Sequence, residues 1–277
     1  MVVDSLVFVL GGKQKSLYLV AFQKDAIIFK DTSLCDVNIC RDMPVVFMGE
    51  IIVNSGCSLS LCRGTHLYMW GGSSISLLQG SSLIVDGSMN DTVVIEGARL
   101  DEGWRDIPGQ WLGIFAYSPA KIFIKNARIR EGIAGIYLEG TPQDTVKIIN
   151  SVFNNFSAVA IYCKNSLIKV MNTVIGDCGG SSIYIENSVS HFVHCTIANF
   201  WEWSNRSKPA ITIDISPPYA AYFNNSVITG SQQEEFTING TGVYINYCYL
   251  KSKIAFNNNA VFNNSWEIKS NDNLFVS

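Results

Sequence analysis

The residues of this chain that could perform acid–base chemistry are a few scattered carboxylates. Hydrolysis of a glycosidic bond needs two carboxyl groups that face one groove. Six acidic side chains are candidates, and they are Asp177, Glu186, Asp214, Asp101, Glu102 and Asp106. No motif joins them, and isolated surface carboxylates are usually solvated turn or loop residues. The NTD, DD, GHG and RIK motifs typical of polygalacturonases are also absent. We therefore predict no catalytic residues.

Two histidines next to a cysteine raise the question of a metal site. His191, His194 and Cys195 form an HxxHC motif, whose residue types can bind zinc. In a β-strand, however, residues three apart point to opposite faces. His194 also takes a position that asparagine fills in other copies of the repeat described below. The pattern favours a structural role, and the sequence predicts no metal site and no cofactor.

Four tryptophans give a better indication of binding. Trp104 and Trp111 flank the PGQW segment, and Trp201 and Trp203 lie in the segment WEWSNRSKP. Exposed aromatic rings can stack on sugar rings. If the two loops lie on one side of the molecule, these four tryptophans form a candidate ligand-binding surface. The alternative is that Trp111 caps a loop and that Trp201 and Trp203 anchor their insertion.

Composition excludes several classes of partner. Charged residues make up 16% of the 277 residues and hydrophobic residues 48%, with a formal net charge of -3. No cluster of Lys and Arg could follow a phosphate backbone, so nucleic acid is not expected as a partner. No apolar run is long enough to span a bilayer. The first residues predict a strand with alternating Leu6, Phe8 and Leu10, and they resemble a signal peptide only weakly.

A repeat of short strands runs along the chain. Turn glycines at Gly56, Gly64, Gly72, Gly80 and Gly87 separate alternating apolar segments. Three such segments make one unit of about 22–24 residues, the size expected for a β-solenoid coil.

A second pattern is clearer farther along the chain. It is a four-residue pattern that consists of a polar residue, a small residue, any residue and a large apolar residue. The copies start at Asn126, Asn150, Asn172, His194, Asn225 and Tyr247. The spacings are 24, 22, 22, 31 and 22 residues, and the long interval contains WEWSNRSKP, which we interpret as an inserted loop. A parallel apolar series begins at Ile136, Ile161, Ile183 and Ile211.

These spacings predict an all-β fold, a right-handed single-stranded parallel β-helix of the pectate-lyase-like kind. Equivalent positions of successive coils would stack about 4.8 Å apart. Asparagine at the corners tolerates left-handed backbone and can form hydrogen-bonded ladders. The large residues, from Ile129 to Leu250, would fill the interior. We assign residues 48–277 to the β-helix and residues 1–47 to a short N-terminal β segment or cap.

The eight cysteines form no CxxC pair. We interpret them mainly as small buried hydrophobes. A bond between Cys35 and Cys40 or between Cys57 and Cys62 stays open, so the redox compartment is not fixed. Cys195 and Cys248 would lie two coils apart, about 9–10 Å, which is too far for a disulfide, and we predict that both are free.

One segment resembles a known family. The DxPGQWxGI core, residues 106–114, resembles a signature of exported or lipid-anchored β-helix proteins of Bacteroidetes whose function is uncharacterised. The segments Asp25–Ala26, GTHLYM and CTIANFW extend the resemblance over nearly the whole chain. Two features depart from the family pattern: no leader with a lipid-attachment cysteine is visible, and the chain stops at NLFVS. The resemblance therefore implies a fragment of an exported protein of the periplasm or cell surface.

Together these features favour a non-enzymatic scaffold on the cell surface or in the periplasm, glycan-binding or adhesive. Its expected partner is a polysaccharide or a host or cell-surface glycan. The alternative is a divergent polysaccharide lyase or glycoside hydrolase. A third hypothesis is assembly through exposed end coils.

Overall fold

The computed structural model describes residues 2–21, 25–40, 43–117, 119–141, 146–252 and 260–267, and the regular structure in these ranges is β-strand. Among them, no helix is long and apolar enough to cross a membrane. The chain winds into coils whose strands stack in parallel on three faces. The NLFVS segment lies outside the described residues.

Each face is a column of strands, one per coil. The first face contains β7 (His66–Met69), β10 (Val93–Gly97), β13 (Ala127–Arg130), β16 (Val152–Phe156), β19 (Val174–Cys178), β22 (Thr196–Asn199), β25 (Val227–Gly230), β28 (Tyr249–Leu250) and β30 (Trp266–Glu267). The second face contains β8 (Ser74–Leu77), β11 (Gly113–Ala116), β14 (Ala134–Glu139), β17 (Val159–Lys164), β20 (Ile183–Glu186), β23 (Ile211–Ile215) and β26 (Phe236–Gly240). The third face contains β4 (Val37–Ile39), β6 (Ser58–Cys62), β9 (Ser82–Asp86), β12 (Lys121–Lys125), β15 (Val146–Ile149), β18 (Leu167–Met171), β21 (Val189–Val193), β24 (Ala221–Asn224), β27 (Val243–Asn246) and β29 (Ala260–Asn263).

The predicted corner residues take the predicted conformation. All six residues that start the second pattern have a left-handed backbone, with φ between 47° and 55°. Two of the asparagine side chains are joined between coils: Asn172 Nδ2 donates to Asn150 Oδ1 at 2.9 Å. The small residues that follow them are buried, because the chain turns tightly into the next strand there.

The interior column is also confirmed. Ile129 pairs with Phe153, Phe153 with Ile175, and Ile175 with Ile197 on consecutive strands of the first face. Each of these side chains is fully buried. The series beginning at Ile136 stacks in the same way on the second face. Like residues therefore stack on like in successive coils, and burial of these apolar columns drives the fold.

The parallel stacking begins before residue 48. Strand β3 (Ile27–Leu34) pairs with β5 (Val45–Val53), which in turn pairs with β7 and β8, and β4 pairs with β6. Upstream, β1 (Val2–Leu10) and β2 (Lys13–Ala21) form an antiparallel hairpin. The division at residue 47 stays a prediction about domains, but the first coil starts at Ile27.

The two disulfides considered from the sequence, Cys35 with Cys40 and Cys57 with Cys62, were wrong. The interpretation of these four cysteines as small buried hydrophobes was wrong as well. Disulfides join Cys35 to Cys57 and Cys40 to Cys62, each across 22 residues. That separation is one coil, which places the two members of each pair side by side on neighbouring strands or corners. Cys163, Cys178, Cys195 and Cys248 are free and buried, as predicted for Cys195 and Cys248.

Two insertions interrupt the coils on the same side. One, residues 98–112, lies between β10 and β11, and the other, residues 200–210, lies between β22 and β23. After each insertion the next strand resumes its register: Ile75 pairs with Ile114, and Ile183 pairs with Ile211. WEWSNRSKP is therefore an inserted loop, as predicted. Both insertions leave from the end of the first face.

Candidate functional site

A cleft of about 430 Å³ lies where the two insertions meet strands of the first face. Its volume falls within the range of small-ligand pockets. The lining residues are Asp106, Arg130, Asn154, Asn155, Asp177, Phe200, Trp201, Glu202 and Trp203. The two tryptophan-bearing loops lie on one side of the solenoid, which is the condition that the candidate ligand-binding surface required.

Asn155 connects the two insertions. Its side-chain oxygen accepts a hydrogen bond from Trp203 Nε1 at 3.2 Å, and its amide nitrogen donates to the backbone oxygen of Asp106. Asn155 has a left-handed backbone, with φ of 64°. This conformation turns its side chain out of the strand direction toward both loops. One residue of the scaffold therefore positions both walls of the cleft.

Asp177 occupies the same place in the next coil, with φ of 51°. Burial raises the pKa of its carboxyl group, and the nearby negative charge of Glu202 raises it further. Hydrogen bonds from the Phe200 backbone N–H and the Asn154 side chain oppose this increase without cancelling it. The carboxyl group is thus shifted toward a protonated acid within the cleft.

Asn154 offers an available acceptor in the cleft. It lies in register with Arg130 on the preceding coil. Its Oδ1 is buried and has no hydrogen-bond partner within the described part of the chain. A buried polar atom without a partner costs free energy, so a ligand hydroxyl that donates to it would be favoured.

A charged network underlies one end of the cleft. Arg130 binds Glu96 at 2.6 Å and Asp106 at 3.2 Å, and Glu96 also binds His66 at 2.6 Å. Burial acts to raise the Glu96 pKa, but hydrogen bonds from His66 and Arg130 outweigh it, so the pKa is lowered. Glu131, fully buried beside Arg130, is in the opposite situation. Burial raises its pKa to about 7 even though Arg130 Nε, 3.1 Å from Glu131 Oε1, lowers it, and the negative charges of Glu96 and Asp106 add to the increase.

A second cleft, of about 480 Å³, lies on the other side of the first insertion. Trp70 and Trp104 line it, and the Arg99 guanidinium lies 3.8 Å from the centre of the Trp104 ring. Gln110 fixes the insertion by donating to the backbone oxygens of Trp104 and Ile107. This second cleft is more apolar than the first, with two exposed indole rings.

The four predicted tryptophans divide into two groups. Trp104 and Trp203 are half exposed, and each lines one of the clefts. Trp111 is fully buried and donates to the backbone oxygen of Arg130, and Trp201 is buried and donates to Ser204 Oγ. This corrects the candidate surface: Trp111 cannot offer a ring to a ligand, because it packs inside the solenoid, and Trp201 anchors its insertion. Trp70, exposed at the end of β7, was missed.

The six candidate carboxylates lie in different parts of the molecule. Asp106 and Asp177 line the same cleft, together with Glu202, which the sequence analysis did not single out. Glu186 and Asp214 lie in register on the second face, where Glu186 accepts a hydrogen bond from Tyr162. Asp101 binds Arg99 in the second cleft, and Glu102 is exposed. The position of Glu202 between two tryptophans was the signal that could have identified it.

The second insertion is held by a buried ion pair. Arg206 and Glu235 are almost completely buried, and the guanidinium also donates to the backbone oxygen of Asn199. Glu235 accepts a hydrogen bond from the backbone of Ala210 at 2.7 Å. The pair therefore fixes both ends of the loop that carries Glu202 and Trp203.

The histidine motif does not form a ligand set. His194 takes the left-handed corner position, and His191 stacks on Tyr222 on the third face. Within the described ranges, no group of three or more His, Cys, Asp and Glu side chains could hold a metal ion.

Comparison with known proteins agrees with the fold. Residues 51–201, more than half of the chain, match the family described as "Right handed beta helix region". Among curated proteins and among solved structures, none matches the chain. The matched residues contain the coils under both clefts and the whole first insertion. With its parallel strands stacked on three faces, the chain belongs to the right-handed β-helix family.

Proposed function

We propose that this β-helix is a polysaccharide-binding scaffold whose first face holds an extended glycan across the two clefts. The observation that carries the proposal is that one insertion, residues 98–112, lines most of the second cleft and contributes Asp106 to the first, and each cleft has an exposed tryptophan ring beside polar groups. An elongated ligand could follow the face from one cleft to the other.

The chemistry of the lining suits a sugar. Indole rings stack on the apolar faces of pyranose rings, and Trp70, Trp104 and Trp203 are 52%, 48% and 53% exposed. Sugar hydroxyl groups can donate to acceptors at fixed places, which Asn154 Oδ1 and the carboxylates of Asp106 and Glu202 provide. Aromatic and other apolar side chains with a small number of well-positioned polar groups are typical of ligand sites.

The proposal includes an exported location, as in the Bacteroidetes lipoprotein-type family that the DxPGQWxGI signature resembles. The two disulfides between the first coils support it, because such bonds persist in oxidising compartments. Mass spectrometry of protein purified without reductant tests this location: finding all eight cysteines reduced would contradict it.

Glycan binding can be tested with tryptophan variants. A glycan array identifies the ligand, and calorimetry then compares Trp203→Ala and the double variant Trp70→Ala/Trp104→Ala with the wild type. Trp266→Ala is the matched control, since Trp266 is equally exposed on β30 outside both clefts. We expect each cleft variant to weaken binding at least tenfold and the control to leave it unchanged. No binding on the array, or equal losses in all variants, would refute the proposal.

A second function is favoured by one observation, the raised pKa of Asp177 in a cleft that also holds Glu202 and Asp106. Glycoside hydrolysis uses two carboxyl groups that face one groove, of which the general acid has a raised pKa. Incubation of the wild type with the array ligand, followed by measurement of reducing ends, separates the two functions. Turnover that Asp177→Asn abolishes would establish hydrolysis, whereas binding without product supports the scaffold.

A further inference from the structure

The first cleft, the one that contains Asp177 and Trp203, has a lining whose charge and hydrogen-bonding groups favour one class of sugar. We infer that it accepts a sugar residue with a free ammonium group, such as a 2-amino-2-deoxy pyranose of a cationic oligosaccharide. This inference rests on the proposed function, because it names the ligand class of the same cleft.

The lining of the first cleft contains more acidic than basic side chains. Three carboxyl groups belong to it, those of Asp106, Asp177 and Glu202. Among the described residues of the lining, Arg130 is the only cation. Its guanidinium already binds two carboxylates, Glu96 at 2.6 Å and Asp106 at 3.2 Å. The cleft therefore attracts a cationic ligand and repels an anionic one such as a uronic acid.

The surroundings of Asp177 favour a positive group in the ligand. Burial raises the pKa of the Asp177 carboxyl group, and the negative charge of Glu202 raises it further. A bound ammonium group would act in the opposite direction, because an opposite charge nearby favours the ionised form of a carboxyl group. A neutral hydroxyl group would not offset the repulsion between the two carboxylates, so the ammonium group gains more from the same place.

The hydrogen-bonding groups of the lining that remain available are acceptors. Each described side chain of the lining that has an N–H group already donates to the protein. These side chains are Arg130, Asn154, Asn155, Trp201 and Trp203. By contrast, Asn154 Oδ1 is buried and has no partner within the described part of the chain, and Glu202 is exposed. An acetamido or carboxylate group would bring further acceptors, whereas an ammonium group brings three donors.

The aromatic wall of the cleft favours an amino sugar over a simple cation. The Trp203 ring is about half exposed, and its hydrogen bond to Asn155 Oδ1 at 3.2 Å holds it in place. The apolar face of a pyranose can stack on this indole while an ammonium group on the same ring binds a carboxylate. The volume of about 430 Å³ is in the range of small-ligand pockets. The cleft therefore has room for a sugar ring as well as for its charged group.

The test compares three β-1,4-linked hexasaccharides that differ only at carbon 2 of each sugar. Cellohexaose has a hydroxyl group there, chitin hexasaccharide an acetamido group, and fully deacetylated chitosan hexasaccharide an ammonium group. Calorimetry of the full chain at pH 6 and low salt measures the three affinities. We expect the chitosan hexasaccharide to bind at least tenfold more tightly than the other two. Its affinity should fall as salt is added, because salt screens the attraction between exposed charges.

The variant Asp177→Asn/Glu202→Gln removes the charge and keeps the shape of both side chains. Asparagine suits the left-handed backbone of Asp177, and Asn155 has the same conformation one coil earlier. We expect this variant to lose at least tenfold in affinity for the chitosan hexasaccharide, and Glu202→Gln alone to show part of that loss. The matched control Glu50→Gln/Asp214→Asn removes the same charge from exposed residues outside both clefts and should retain the affinity.

Several outcomes would overturn the inference. It fails if the chitosan hexasaccharide does not bind, if the three hexasaccharides bind equally well, or if the control loses as much affinity as the cleft variant. Should an uncharged glycan bind in a manner that depends on Trp203 while chitosan shows no advantage, ammonium recognition is refuted and glycan binding by the scaffold stands. Polylysine that binds as tightly as the chitosan hexasaccharide would make a basic peptide the ligand and overturn the assignment to a sugar.

Discussion

The first and third faces are built on the same coils but carry different kinds of surface. The third face follows the repeat, so each outward residue has an equivalent one coil away, and the surface is a regular column. The first face departs from the repeat through two insertions, left-handed residues at Glu131, Asn155 and Asp177, and buried charges. Regular stacking presents the same chemistry many times, whereas departures from it gather different groups at one place.

The largest expected difference between the faces concerns their ion pairs. Arg206→Ala on the first-face side leaves Glu235 buried without its partner, and we expect a loss of about 3–5 kcal/mol in unfolding free energy. Lys125→Ala on the third face breaks a largely exposed pair with Asp86, with an expected cost below about 1 kcal/mol. Urea unfolding measures both, and hydrogen exchange shows whether residues 200–210 open first. Equal costs would mean that the insertion is not held by this pair.

The second prediction concerns pH. In the folded protein Glu131 has a pKa of about 7, raised by burial from a usual value of 4.5. It therefore retains its proton at pH values where the unfolded chain has released it. Its contribution to stability is complete below about pH 4.5 and declines as pH rises to about 7, by up to about 3 kcal/mol.

Glu131→Gln should remove this decline, so that the variant gains stability relative to the wild type between pH 5 and pH 8. Asp86→Asn, on an exposed carboxylate of the third face, should keep the decline. Unfolding curves at several pH values provide the measurement. A parallel decline in Glu131→Gln and the wild type would show that Glu131 is ionised in the folded state.

The sequence was sufficient to predict what the repeat controls. The ladder from Ile129 to Leu250 and the asparagine corners depend on local spacing, which a single sequence displays directly. The disulfides could also have been predicted from the spacing, because Cys35 and Cys57, like Cys40 and Cys62, are separated by the length of one coil. The convergence of Asp106, Asp177 and Glu202 could not be predicted, because it depends on how two insertions fold over different coils. Similarly, the burial of Trp111 depends on packing that no spacing encodes.

The third prediction tests the corner that the two faces share. Asn172 lies between β18 and β19 with φ of 47°. Asn172→Ala places an ordinary side chain in left-handed backbone, and we expect a loss of about 1–2 kcal/mol. Asn172→Gly keeps the conformation accessible and should cost about 1 kcal/mol less than alanine, although it too loses the hydrogen bond to Asn150. Thermal unfolding compares them. If glycine costs at least as much as alanine, the left-handed backbone is not the source of the loss, and the hydrogen bond to Asn150 that both variants lack accounts for it.

The smallest change in unfolding free energy is expected on the third face, where the direction of the change is the informative result. Removing both charges in Lys147→Gln/Lys169→Gln relieves the repulsion between neighbouring strands, so the unliganded protein should gain a few tenths of a kcal/mol, up to about 1 kcal/mol. The gain should shrink as salt is added, because exposed charges are screened. Urea unfolding at two salt concentrations measures it. A loss of stability in low salt would mean that other interactions of the two lysines outweigh the repulsion between them.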